Sequence, residues 1–193
     1  MEQRVIEFFN GNIEATMNAG ESLLLPITES AALIVEALLQ GVRVFTCGNG
    51  ISAALASSLS FILLNQYRIE RPGFASFCLS GDGVTSTGLT QQANFAELYR
   101  RQLRALAQGG DILVLFSANT NAGNLVQAVQ TAHEKDMTVI AFTGSGDGNI
   151  SALLTGSDVE LRVDHQDPFR IHSVHMLSQF CICDLIEHQL FGG

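Results

Sequence analysis

Five short apolar runs alternate along this chain with stretches of helical periodicity. The runs are Val42–Thr46, Phe74–Leu79, Asp111–Ser117, Thr138–Thr143 and Asp158–Val163. Helical spacing fills 52–66, 95–108, 121–135, a short stretch near 150–154, and 168–190. The strands are apolar on both faces, so each must be covered twice. Strand then helix, repeated, specifies an α/β fold with a parallel sheet between helical layers.

Residues 2 to about 40 precede the first strand and also read as helix. Val5, Ile6, Phe9, Ile13 and Met17 recur at helical spacing. Pro26 suits the start of a second helix, lined by Ile27, Leu33, Ile34, Ala37 and Leu38, and Gly41 ends it. The expected organisation is one domain, 1–193, with two N-terminal helices over 1–40 and an α/β core over 41–193. Apolar residues make up 47% of the chain and charged ones only 15%. So apolar a domain is expected to bury surface against copies of itself, and the surplus N-terminal helix is the candidate contact.

The net charge of −9 argues against direct nucleic-acid binding and is compatible with a basic protein partner. No secretory signal or bilayer-spanning run is read, so a soluble cytoplasmic protein without membrane association is expected. Cys47, Cys78, Cys181 and Cys183 show no CxxC spacing and read as reduced core thiols.

In open parallel sheets, ligands bind beyond the carboxyl ends of the strands. Three loops rich in Gly, Ser, Asn or Thr fall there: Gly48–Ser52, Ser80–Gly88 and Ser117–Asn124. Such loops hold anions through backbone N–H groups and hydroxyls. Yet the helical stretch Ala53–Leu64 after the first loop carries no titratable residue. His172 and His175, three apart and downstream of Asp164, His165 and Asp167, are a conceivable metal pair, but polar pocket or interface histidines are the favoured reading. Asp82 reads as a turn residue, and Arg100, Arg101 and Arg104 as a solvated or intersubunit face. The Asn149 glycosylation pattern is set aside in a cytosolic chain. Leu190-Phe191 either packs back on the body or anchors a partner.

The stretches CGNGISAALA and DILVLFSANTNAGNLVQAV resemble the sugar isomerase (SIS) domain, and within it the phosphoheptose isomerase family. ERPGFASFCL, YRRQLRAL and HMLSQFCICDLIEHQLF look like its non-catalytic, DiaA-like branch, which associates with the replication initiator DnaA. The resemblance implies a flavodoxin-like three-layer α/β/α sandwich with a five-stranded parallel sheet, assembled as a homotetramer. The family's isomerases act on sedoheptulose 7-phosphate, often with zinc. Their His, Glu, Gln and His correspond here to Ser58, Ile62, His172 and Phe180. No family acid–base pair survives, so no catalytic residue, metal site or cofactor is expected. The family's Ser-Thr-Ser reads Ser117-Ala118-Asn119, its next phosphate-holding Ser is Ala122, and its Asn-Asp pair is Gln91-Gln92.

The expected remnant is a vestigial phosphosugar pocket of Asn49, Gly50, Ser52, Gln91, Ser117, Asn119, Asn121 and His172. The expected partner-binding residues are Leu190 and Phe191. The function implied is a non-catalytic tetramer that gathers DnaA molecules to promote replication initiation. The alternatives are a phosphoheptose isomerase, which would take zinc, and a phosphosugar-binding sensor.

Overall fold

A computed structural model of the chain describes residues 1–119, 121–146 and 148–192. Thr120 in the third candidate loop and Asp147 in GSGDGN lie outside the described residues. The elements in chain order are α1 (Glu2–Leu39), β1 (Val44–Gly48), α2 (Ile51–Leu64), β2 (Ser76–Cys78), α3 (Gly83–Gln92) and α4 (Glu97–Leu106). They continue with β3 (Ile112–Phe116), α5 (Gly123–Glu134), β4 (Thr138–Thr143), β5 (Val159–Arg162) and α6 (Pro168–Phe191). A 3-10 turn, Ser151–Leu153, precedes β5.

All strand pairs are parallel, in the order β2-β1-β3-β4-β5. The strands alternate in the way a doubly covered sheet requires. Val44, Ile112, Val114, Phe116, Ile140 and Phe142 face a core built with α1, α2 and α6. Phe45, Cys47, Leu113, Leu115, Val139 and Ala141 face a second core built with α4 and α5. Phe116 and Phe142 stack with ring centroids 4.2 Å apart. The chain leaves β1 for β2 on one side and returns to β3 on the other. That reversal opens a crevice between the carboxyl ends of β1 and β3.

Two expectations need correction. The N-terminal region is one helix of 38 residues, with Pro26 inside it. A proline in a helix interior costs roughly 3 kcal/mol. Here Ala19 and Leu23 before it, and Ser30, Ala31 and Ile34 after it, are all buried. Packing of α1 against α6 and β5 thus holds both halves in line, and neither Leu24-Leu25 nor Ile27 offers a turn. The stretch expected as a glycine-rich loop, 80–88, runs instead into α3. That helix buries no residue, so no apolar period marks it. Its stability is local. Asp82 caps it, accepting from the Val84 amide at 2.9 Å and from the Thr85 hydroxyl.

The first half of α1 leaves large side chains in solvent, with Phe9 64% and Met17 71% exposed. Val5, Ile6, Phe8 and Ile13 are exposed beside them. On the basic face of α4, Arg100 pairs with Glu97 at 3.0 Å and Arg104 with Glu134 at 2.9 Å, while Arg101 is exposed.

Candidate functional site

The β1–α2 turn is shaped by two glycines. At Gly48 a Cβ would sit 2.5 Å from the carbonyl oxygen of Ser52, so no side chain fits there. Gly50 caps α2 at φ 57°, ψ −121°, a conformation open to glycine. Three side chains then pin the turn. The amides of Asn49 and Asn124 bond reciprocally, at 2.9 and 2.8 Å. The Tyr99 hydroxyl donates to the Gly48 carbonyl and, at 3.3 Å, to Asn49 Oδ1. The Gly48 amide donates to Ser80 Oγ at 3.1 Å.

A cavity of about 230 Å³ lies at the crevice, walled by Asn49, Ser52, Phe116, Ser117, Ala118, Asn119, Ala122 and His172. Ser52 Oγ and His172 Nε2 are 3.0 Å apart across it. The Ser117 hydroxyl donates to the Asn119 carbonyl and accepts the Asn119 amide at 3.2 Å, folding that loop on itself. The cavity therefore unites Asn49, Ser52, Ser117, Asn119 and His172, and Gly50 shapes it through the backbone. Gln91 does not join it; that residue is exposed on α3. Asn121 turns elsewhere, accepting the Asn149 amide at 3.2 Å.

Ser58, Ile62 and Phe180, at positions where the resemblance implies acid–base residues and metal ligands, make packing and hydrogen-bond contacts. Ser58 Oγ accepts from Gln179 Nε2 at 3.0 Å. Ile62 packs into the core. Phe180 stacks on Tyr67 with centroids 6.1 Å apart. A hydroxyl already engaged, two hydrocarbon side chains and one imidazole do not make a zinc site. His175 does not complete one. It is fully buried and its Nε2 meets the Thr143 carbonyl at 3.0 Å. Burial pushes its pKa down to about 4, so the ring is neutral near pH 7. Burial also holds His172 below the usual imidazole range, with a Pro168 carbonyl contact opposing it.

Ser80 and Asn124 bound two of the candidate loops but are not singled out as site residues, and Tyr99 and Gln179 lie outside those loops. Asn124 stands in the quoted ANTNAGN turn and was findable there. Tyr99 and Gln179 reach the site only through packing of α4 and α6 and carry no local signal.

At the carboxyl end, Leu190 packs partly against the core. Phe191 is 45% exposed and stacks on Phe74 with centroids 6.4 Å apart. The pair thus packs partly back on the body, and Phe191 keeps an exposed face.

Residues 7–144 match the family model of the SIS domain. The chain is 39% identical over 191 residues to the phosphoheptose isomerase of Shewanella halifaxensis, covering 99% of this chain and 97% of that one. It is 38% identical over 191 residues, with the same coverage, to the DnaA initiator-associating protein DiaA of Cronobacter sakazakii. Among solved structures, the phosphoheptose isomerase GmhA of Neisseria gonorrhoeae superimposes with a TM-score of 0.91 at 34% identity, over 96% of this chain and 98% of that one. With its parallel sheet, its crevice at the β1–β3 reversal and these relatives along almost its full length, the chain belongs to the phosphoheptose isomerase family of SIS-domain proteins.

Proposed function

We propose that this chain is a non-isomerising member of the family. In this reading its remnant pocket binds a phosphosugar only weakly, and the chain acts in the cytoplasm as a homotetrameric scaffold for the replication initiator DnaA. The observation that carries the reading is the fate of the acid–base positions. Ser58 is bonded to Gln179, Ile62 is in the core, and Phe180 is stacked on Tyr67. Moving protons between neighbouring carbons needs a positioned acid and base, each contributing about 10²–10⁴ in rate. The DiaA relative, at 38% identity, supports the scaffold side. The exposed apolar half of α1 is the surface that assembly would cover. A tetramer with one modest site per subunit concentrates bound partners by multivalency alone.

The partner site in this reading is Leu190 and Phe191, with Phe74 beneath. Leu190→Ala with Phe191→Ala is expected to abolish retention of the initiator in a pull-down while light scattering still reports a tetramer. A double variant that retains the initiator as wild type does would refute this assignment.

A second reading is supported by the Shewanella and Neisseria relatives, both phosphoheptose isomerases. In it, His172 is the base among the described residues that line the cavity. The relatives' names favour it over the scaffold; the side chains at 58, 62 and 180 favour the scaffold.

A further inference from the structure

We infer that Ser52 and His172 form a nucleophile–base pair able to hydrolyse short-chain O-acyl esters, an activity separate from isomerisation. The two side chains come from opposite ends of the sequence and meet at 3.0 Å between Oγ and Nε2. This is the spacing at which an imidazole takes a hydroxyl proton. Both line the same cavity, so a bound molecule meets the pair directly.

The surroundings select the chemistry. Among the described residues, the cavity walls hold amides, hydroxyls, small apolar groups and Phe116, with no Lys or Arg. Such walls suit one oxyanion better than the three charged oxygens of a transferring phosphoryl group. Ser52 lies in the first turn of α2, whose ladder begins with bonds from the Ser52 amide to the Asn49 carbonyl and from the Ala53 amide to the Gly50 carbonyl. The first turn of α2 at Ser52 gives this end of the cavity the electrostatics of a helix N-terminus, favourable to a developing oxyanion. Size limits the acyl group: about 230 Å³ falls below the roughly 300–1,000 Å³ of drug-sized pockets.

In the first half-reaction, Ser52 Oγ bonds to the acyl carbon and its proton passes to His172 Nε2. The tetrahedral oxyanion then collapses, the C–O bond to the alcohol breaks, and the alcohol leaves with the proton from His172. Water repeats the sequence on the acyl-serine, releasing the carboxylic acid and restoring the Ser52 hydroxyl.

The test uses the full chain, a fluorophosphonate probe with peptide mapping, and p-nitrophenyl acetate as substrate. Wild type is expected to carry the label on Ser52 and to turn over the ester. Ser52→Ala is expected to lose both. His172→Gln, which restores the family's residue, is expected to label and turn over about a hundredfold more slowly. Absence of label on Ser52 in the folded wild type would overturn the inference, and so would an unchanged rate in His172→Gln.

Discussion

Glu187→Ala is expected to lower the free energy of unfolding by about 3–5 kcal/mol, the cost of leaving a buried charge without its partner. The measurement is a denaturant midpoint at pH 7. Glu187 and Arg71 are almost fully buried, with Oε1 and Nε 2.9 Å apart. The carboxylate also accepts the amides of Tyr67, Arg68 and Ile69, at 2.8, 2.9 and 3.2 Å. Arg71 in turn donates to the carbonyls of Ile62, Leu63, Asn65 and Pro72. One pair thus ties the end of α2 and the 65–72 loop to α6. Removing the carboxylate takes the counter-charge from the guanidinium, which keeps its carbonyl acceptors, and the acceptor from three amides.

The same site gives a pH dependence with a definite sign. Burial alone would raise the Glu187 pKa, but its backbone amide donors and Arg71 outweigh it and the value falls below the ordinary one. A carboxylate depressed in the folded state contributes stability above its unfolded pKa of about 4.3. That contribution is lost as pH falls through the lower, folded value. Glu187→Gln, which keeps the shape, is expected to flatten this part of the acid dependence in thermal melts. The loss also reaches the proposed partner site, because Arg71 lies 4.1 Å from the Phe74 ring on which Phe191 stacks.

Gly48→Ala is expected to destabilise the fold by about 1–3 kcal/mol, the usual cost of overpacking, and to disrupt the cavity. The new Cβ would meet backbone, with the Ser52 carbonyl oxygen at 2.5 Å and its carbon at 2.6 Å. Backbone in the first turn of a helix cannot rotate away as a side chain can. The relief available is to move α2, and α2 carries Ser52 away from His172. Loss of the fluorophosphonate label on Ser52 would report that displacement. Wild-type labelling in Gly48→Ala would contradict the geometry.

Periodicity and turn chemistry made the sheet legible, because strands such as Ile112–Phe116 are apolar on both faces and can only be central. The edge strand β2 is shorter than its apolar run, with the Phe74 amide bonded to the Leu63 carbonyl of α2 at 2.9 Å and not to a neighbouring strand. The long α1 was illegible at Pro26, where packing on α6 overrides a local breaker. Helix α3 was illegible because hydroxyl and cap bonds hold it, not a buried face. In the site, the glycine turn, Ser52, Ser117 and His172 were readable from motif and resemblance. The pairing of Ser52 with His172 was not, since 120 residues separate them and only the docking of α6 on α2 joins them. Gln91 and Asn121 stand outside the cavity walls because Gln91 is on the exposed helix α3 and the Asn121 side chain accepts the Asn149 amide, neither of which the sequence signals.

Ser58, Ile62 and Phe180 leave the proposed non-isomerising chain without the family's acid–base pair. The most direct measurement is turnover of sedoheptulose 7-phosphate, with and without zinc, beside the Neisseria gonorrhoeae enzyme under the same conditions. Loss of both an acid and a base predicts a rate lower by about 10⁴ or more, indistinguishable from a protein-free control. Turnover within tenfold of that enzyme, roughly 1.4 kcal/mol in barrier, would contradict the account and establish this chain as an isomerase.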